Sequence, residues 1–240
     1  MNMRILRVAA LVAAVSSSAW PADPWTKPSS EWTLADTTKV LFNSPWVRDA
    51  RVPAPWLKGE PTIVYPVLTD CSGRVDRDST PSMGGMSDTF QSIVVYRVSW
   101  VSSRAYREAR ARRSVICGEA EQDDIDALID QGAAEDYVIK IESPDMKPFE
   151  GVDEATIKQN TTLTGKKSGL VTPPIGVQPL KMGSTRVVAL FLRFPKSNQE
   201  GKPIVIPGET ELALSYKWEK TEVKVRFLPE KMKLGGDSGL

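Results

Sequence analysis

Two segments near the C-terminus limit the fold more than anything else in the chain. Residues 211–218 place Leu212, Leu214 and Tyr216 at alternate positions, and residues 222–228 do the same with Val223, Val225 and Phe227. A period of two puts each set on one face of a strand, with polar residues on the other. The short stretch 217–221 between them closes the two as a hairpin. A hairpin with one apolar face needs a second layer to cover it. Just upstream, residues 186–194 (RVVALFLRF) form the most apolar run after the N-terminal leader, and Pro195 ends it. That run reads as a central strand, and a largely antiparallel sheet follows.

The rest of the chain adds short helices to this sheet. Residues 32–46 (WTLADTTKVLFNSPW) contain a whole helix with both ends written in. Thr33 is the N-cap, and Asp36, three residues on, reaches back to its N–H. Pro45 stops the helix and pushes Ser44 towards an extended conformation. Leu34, Leu41 and Thr38 share a face that Val40 and Phe42 widen, and a helix this short must dock to persist. Residues 92–100 read as a strand with Val94, Tyr96, Val98 and Trp100 on one face. A helix capped by Ser102 or Ser103 follows, with Ala105, Ala109 and Ile116 facing the sheet. It carries Arg104, Arg107, Arg110, Arg112 and Arg113. These arginines scatter around the helix and read as a solvated face rather than a nucleic-acid site. Residues 119–130 are acidic, with Asp123, Asp124, Asp126 and Asp130, and read as a short helix beside the basic one. A calcium loop is the sharper reading of that segment, but the glycine turn and closing glutamate of an EF-hand are missing. Residues 136–142 alternate as a strand, 150–160 suit another short helix, and 175–182 form a strand that Pro179 interrupts. The fold class is therefore α+β: a largely antiparallel β-sheet with a few short helices and an N-terminal helical arm. The arm spans 20–60, the α+β domain 61–232, and 233–240 read as a disordered tail. Within the arm, 20–30 read as an extended lead-in and 47–60 as a surface loop.

Residues 1–19 have the parts of a secretory signal peptide: Arg4 and Arg7, the apolar run 8–15, and the small residues Ser17, Ser18 and Ala19 before a cleavage site. The run is too short for a bilayer anchor, which needs about 20 residues. The sequence thus points to export, periplasmic or secreted, with no transmembrane anchor. In an exported chain the two cysteines, Cys71 and Cys117, read as a disulfide, with two free thiols as the other reading.

Composition narrows function mainly by exclusion. The chain has no histidine, so Ser–His and Cys–His nucleophilic pairs and His-containing zinc sites are closed to it. No P-loop, dinucleotide fingerprint or nucleophile elbow occurs, and no cofactor is implied. With 31 basic and 30 acidic residues, nothing in the charge balance calls for nucleic acid.

Three blocks carry a family resemblance: 32–46; 95–109, where Ser99-Trp100 precedes Ser102-Ser103-Arg104 and Arg107-Glu108-Ala109; and 190–195 with Arg226-Phe227 and Met232. Together they resemble a group of exported, uncharacterised bacterial proteins, mostly acidobacterial, that bear a GWxTD-type domain name. The GWxTD tetrapeptide itself is absent, and Glu31-Trp32-Thr33 is its nearest echo. The resemblance implies export and a shared fold, and no activity.

The leading functional reading is a non-enzymatic exported protein binding an envelope protein or itself. Trp20, Trp25, Trp46 and Trp56 are candidate interface residues, or staples holding the arm to its own domain. An assembly subunit using a sheet edge near Ile63 or the C-terminal hairpin is a variant of it. The alternative is a carboxylate-based carbohydrate-active enzyme or carbohydrate-binding module, using Asp70, Asp76 and Asp78 with Trp56 as a stacking platform.

Overall fold

The computed structural model describes residues 22–57, 70–72, 92–184 and 186–240. The leader, Trp20, Ile63, Asp76 and Asp78 lie outside the described residues. Two antiparallel sheets pack face to face, with helices on the outer face of the larger one, so the fold is α+β.

The larger sheet has the order β1-β2-β3-β7-β6, made of β1 (Val47–Pro53), β2 (Ile93–Trp100), β3 (Tyr137–Glu142), β7 (Arg186–Phe194) and β6 (Gly176–Met182). The apolar run 186–194 is an interior strand, as its composition requires. Pro179 sits in edge strand β6, beside a register shift between Leu180 and Lys181, the kind of place where a residue without an N–H is tolerated. The smaller sheet has the order β5-β4-β8-β9, from β4 (Thr161–Gly165), β5 (Val171–Thr172), β8 (Leu212–Trp218) and β9 (Thr221–Phe227). Here β8 and β9 form the expected hairpin, with Trp218 paired to Thr221.

Alternation decides which face meets which layer. In β2, Val94, Tyr96, Val98 and Trp100 are all fully buried against the smaller sheet. Trp100 packs edge-on to Phe227 at 5.2 Å, and Phe149 bridges Tyr96 at 5.8 Å and Tyr216 at 4.7 Å. Burial raises the Tyr96 phenol well above its ordinary pKa, with Asp145 and Tyr216 adding to the shift. The other face of β2 carries Val95, Arg97 and Ser99, also buried, beneath α1 (Leu34–Phe42) and α2 (Arg104–Ile116). The Arg97 guanidinium lies over the Phe42 ring at 5.0 Å.

The N-terminal helix forms as its sequence specifies. Thr33 Oγ1 accepts from the Asp36 N–H at 3.2 Å, and the Asp36 carboxylate accepts from the Thr33 N–H at 2.9 Å. The buried face holds Val40 and Leu41, as expected, but Thr37 rather than Thr38. Trp32 and Trp46 are buried to 1% and 0% exposure. The Trp32 indole N–H donates to the Pro24 carbonyl at 2.8 Å, and Trp25 meets Trp46 edge-on at 5.7 Å. These tryptophans are staples within the domain.

Four expectations are corrected. The lead-in is not extended: Pro24–Thr26 and Ser29–Glu31 are single 3-10 turns. Residues 47–53 are not a surface loop but edge strand β1, paired along its whole length with β2. Ile116 does not join Ala105 and Ala109 in the core but is 36% exposed. The tail is not disordered. Strands β10 (Lys233–Leu234) and β11 (Asp237–Ser238) form a small hairpin, the Gly235 N–H donates to the Trp25 carbonyl, and the Arg104 N–H donates to the Gly239 carbonyl. The tail thereby joins the N-terminal arm to the start of α2.

Gly239 is the tight point of that clasp. A Cβ there would lie 2.9 Å from the Met232 carbonyl oxygen and 2.9 Å from Trp46 Cζ2. Gly239→Ala is expected to lower stability by about 1–3 kcal/mol, the usual range for overpacking, read as a reduced urea midpoint at unchanged slope.

A buried carboxylate holds the turn between β4 and β5. Glu209, 2% exposed, accepts from the backbone N–H groups of Lys167 at 2.7 Å and Ser168 at 3.0 Å. Burial works against its ionisation, but these N–H groups and the Ser168 hydroxyl outweigh it and hold its pKa below the ordinary glutamate value. A carboxyl whose pKa is depressed on folding stabilises above its unfolded pKa, about 4.3, and that contribution is lost as pH falls through the folded value. Glu209→Gln should therefore cost about 2 kcal/mol near neutrality. The gap from the native protein should begin to narrow below about pH 4.3 and close only as pH falls through the lower folded value, which a urea denaturation series from pH 7 down to about pH 2 would show.

Candidate functional site

The basic helix does not present a free cationic face. Arg104 pairs with Glu108 at 2.6 Å. Arg107 donates through Nε to the Ser102 carbonyl at 3.2 Å and through Nη1 to the Ile129 carbonyl in α3 (Ile125–Gln131). Arg112 reaches the Trp32 carbonyl at 3.4 Å and Gln122 at 2.9 Å, and Arg113 reaches Thr38 and the Asp70 carbonyl. Arg104 is thus tied to its own helix, and Arg107, Arg112 and Arg113 brace α2 against its neighbours. Arg110 is exposed, and among the described residues it makes no hydrogen bond or ion pair.

The Arg107 brace holds α3 alongside α2 and leaves a cleft of about 450 Å³ between the two helices and the sheet. Its floor is apolar, with Val101, Val138 and Phe191. On the α2 wall, Tyr106, Arg107, Arg110 and Ser114 recur at helical spacing, and α3 contributes Leu128 and Gln131. Lys140 enters from β3 and pairs with Glu142 at 2.8 Å. The cleft is thus lined by three cations, and no Asp or Glu is among the described residues lining it. Burial lowers the Arg107 pKa, with Asp130 and Glu108 working in the opposite direction, and the group stays charged at any ordinary pH.

Beyond Lys140 the same sheet face carries a line of charge. Glu142 lies opposite Arg97 in the register, and Arg97 Nε is 3.5 Å from the Asp49 carboxylate. Ser99, fully buried, sits opposite Lys140. A line of alternating charges across three strands fixes their register, since a slip of one residue would bury Arg97 in the apolar core.

The residues picked out by sequence separate. Cys71 and Cys117 lie at bonding distance, with sulfurs 2.10 Å apart and Cα atoms 5.2 Å apart. The bridge links Cys117, the C-cap of α2, to the Asp70–Ser72 turn. Asp70 is occupied in that turn, accepting from the Ser72 N–H at 3.0 Å and its hydroxyl at 2.7 Å. Trp56 is half-buried, and its indole N–H donates to Asp145 at 2.8 Å. In the acidic segment, the Asp124 carboxylate accepts from the Glu121 N–H at 3.2 Å, and no group of three acidic or cysteine side chains among the described residues is placed to hold a metal ion. Among the described residues, no helix is long and apolar enough to cross a membrane.

The cleft was missed from sequence because its lining comes from four separate stretches, 101–114, 128–132, 138–140 and residue 191. A local signal existed: Arg107, Arg110 and Ser114 at i, i+3 and i+7 share one face of α2. Comparison with known proteins supplies no outside guide to the site: no family model, no curated protein and no solved structure matches the chain.

Proposed function

We propose that this is an exported, non-catalytic binding protein of the cell envelope, and that it receives its partner in the cleft between α2, α3 and the sheet. The observation that carries the reading is the lining: three cations over an apolar floor, with no acid–base pair. Such a surface attracts and orients an anionic, partly apolar group. Export is supported by the leader pattern and by the Cys71–Cys117 bridge, which suits an oxidising compartment. Nucleic acid fits poorly, because four of the five α2 arginines are committed within the domain. At the C-terminal hairpin edge, Arg48 of β1 donates to the Arg226 carbonyl of β9 at 3.1 Å and so occupies one acceptor of that edge. The β6 edge is blunted too, since Glu154 accepts the Val177 N–H at 3.3 Å and Pro179 has no N–H to offer.

Gln131 is exposed and lines the cleft. Gln131→Trp should fill the cleft and leave the fold intact. Immobilised native protein should retain an envelope component that the Gln131→Trp protein does not. Equal capture by both, with unchanged stability, would rule the cleft out.

A further inference from the structure

We propose that the cleft takes the free C-terminus of a partner polypeptide ending in an apolar residue. The inference rests on the cleft being the binding face and names what that face recognises.

Three features of the lining converge on this chemistry. The first is an oxyanion seat. Arg107 and Arg110 are neighbours at i, i+3 on α2, and both line the cleft. Arg107 is pre-positioned by its bonds to the Ser102 and Ile129 carbonyls, which use two of its five N–H donors and leave Nη2 uncommitted. A guanidinium held this way has already lost much of its rotamer freedom, so little more is lost on meeting a carboxylate. Arg110 brings a second, uncommitted guanidinium.

The second feature is the floor. Val101, Val138 and Phe191 offer an apolar surface that an inorganic anion cannot use. The ligand must carry apolar bulk beside its charge. The third is Gln131, whose side-chain amide both donates and accepts, the pattern needed to pair with a peptide group. A fatty acid has the carboxylate and the apolar body but nothing for that amide. A chain terminus has all three, in the order carboxylate, side chain, peptide bond. Capture of a C-terminal carboxylate is an established mode of peptide recognition. At about 450 Å³ the cleft accommodates the last few residues of a chain rather than a folded surface.

The test uses the disulfide-bonded protein and titration calorimetry. The probes are the peptide acetyl-Gly-Ala-Leu with a free carboxylate, its C-terminal amide, octanoate and inorganic phosphate. The free-acid peptide should bind, and the amide should bind at least about tenfold more weakly. Arg110→Gln should weaken the acid by about tenfold or more and leave the amide unchanged, while Gln131→Trp should abolish both. Equal binding of acid and amide would overturn the proposal. So would displacement of the peptide by phosphate, or by octanoate at equal concentration, the latter making the ligand a lipid. No binding of the acid up to about 10 mM, with envelope capture still lost in Gln131→Trp, would remove the chain-terminus reading and leave the cleft as the binding face. Loss of both results would remove both.

Discussion

Replacing Trp46 with alanine is expected to lower the stability of this protein by about 3–5 kcal/mol, the range for removing a large aromatic side chain from a core. Trp46 has 0% exposure and stands where three parts of the chain meet. Trp25 packs edge-on against it at 5.7 Å, its carbonyl accepts from the Trp100 N–H of β2 at 2.8 Å, and Gly239 of the tail lies against its indole. The cavity left by alanine cannot collapse easily, because all three neighbours are pinned by their own hydrogen bonds. Trp46→Phe should cost much less, because the indole N–H makes no hydrogen bond among the described residues. Urea denaturation of both variants separates packing from polar contact. A loss below about 1 kcal/mol for Trp46→Ala would place this residue outside the core.

The second large effect belongs to the cysteines. The Cys71–Cys117 bridge closes a loop with a sequence separation of 46. By the chain-entropy model such a loop stabilises by about 4 kcal/mol, through restriction of the unfolded chain. Cys71→Ser/Cys117→Ser should lose about this much, and the native protein under a reducing agent should fall to the level of the double variant. The bridge also ties the Asp70–Ser72 turn to the C-terminal end of α2, where Arg113 reaches the Asp70 carbonyl. A double variant as stable as the native protein, with no response to reductant, would mean that the two sulfurs are not bonded in solution.

Legibility from sequence followed how local the causes were. The Thr33–Asp36 box, the Ser103 cap of α2 and the β8–β9 hairpin each depend on residues within a few positions of one another, and each forms as read. Strand β1 was hidden because Pro53 and Pro55 mark a loop by composition. Pro53 instead closes an edge strand, where a missing N–H costs nothing. The tail was hidden for a related reason. Gly235, Gly236, Asp237 and Ser238 have the composition of a flexible end, and what orders them is contact with Trp25 and Arg104, far away in the chain. The α2 arginines show the limit most clearly. Their scatter around the helix argued against a nucleic-acid face, and the same scatter lets Arg107, Arg112 and Arg113 reach different neighbours. Only the fold shows that Arg107 clamps α3 and so creates the cleft, while Arg110 is left facing it.

The most direct test of the cleft as the binding face is site-resolved photo-crosslinking in envelope extract. One photo-reactive residue, a leucine analogue of similar size, would replace Leu128, which lines the cleft from α3, and another would replace Leu180, which is 51% exposed on edge strand β6. A partner held in the cleft gives an adduct at position 128 that Arg110→Gln weakens, and none at position 180. An adduct at position 180 alone would place the interaction on the sheet edge and contradict the assignment of the cleft.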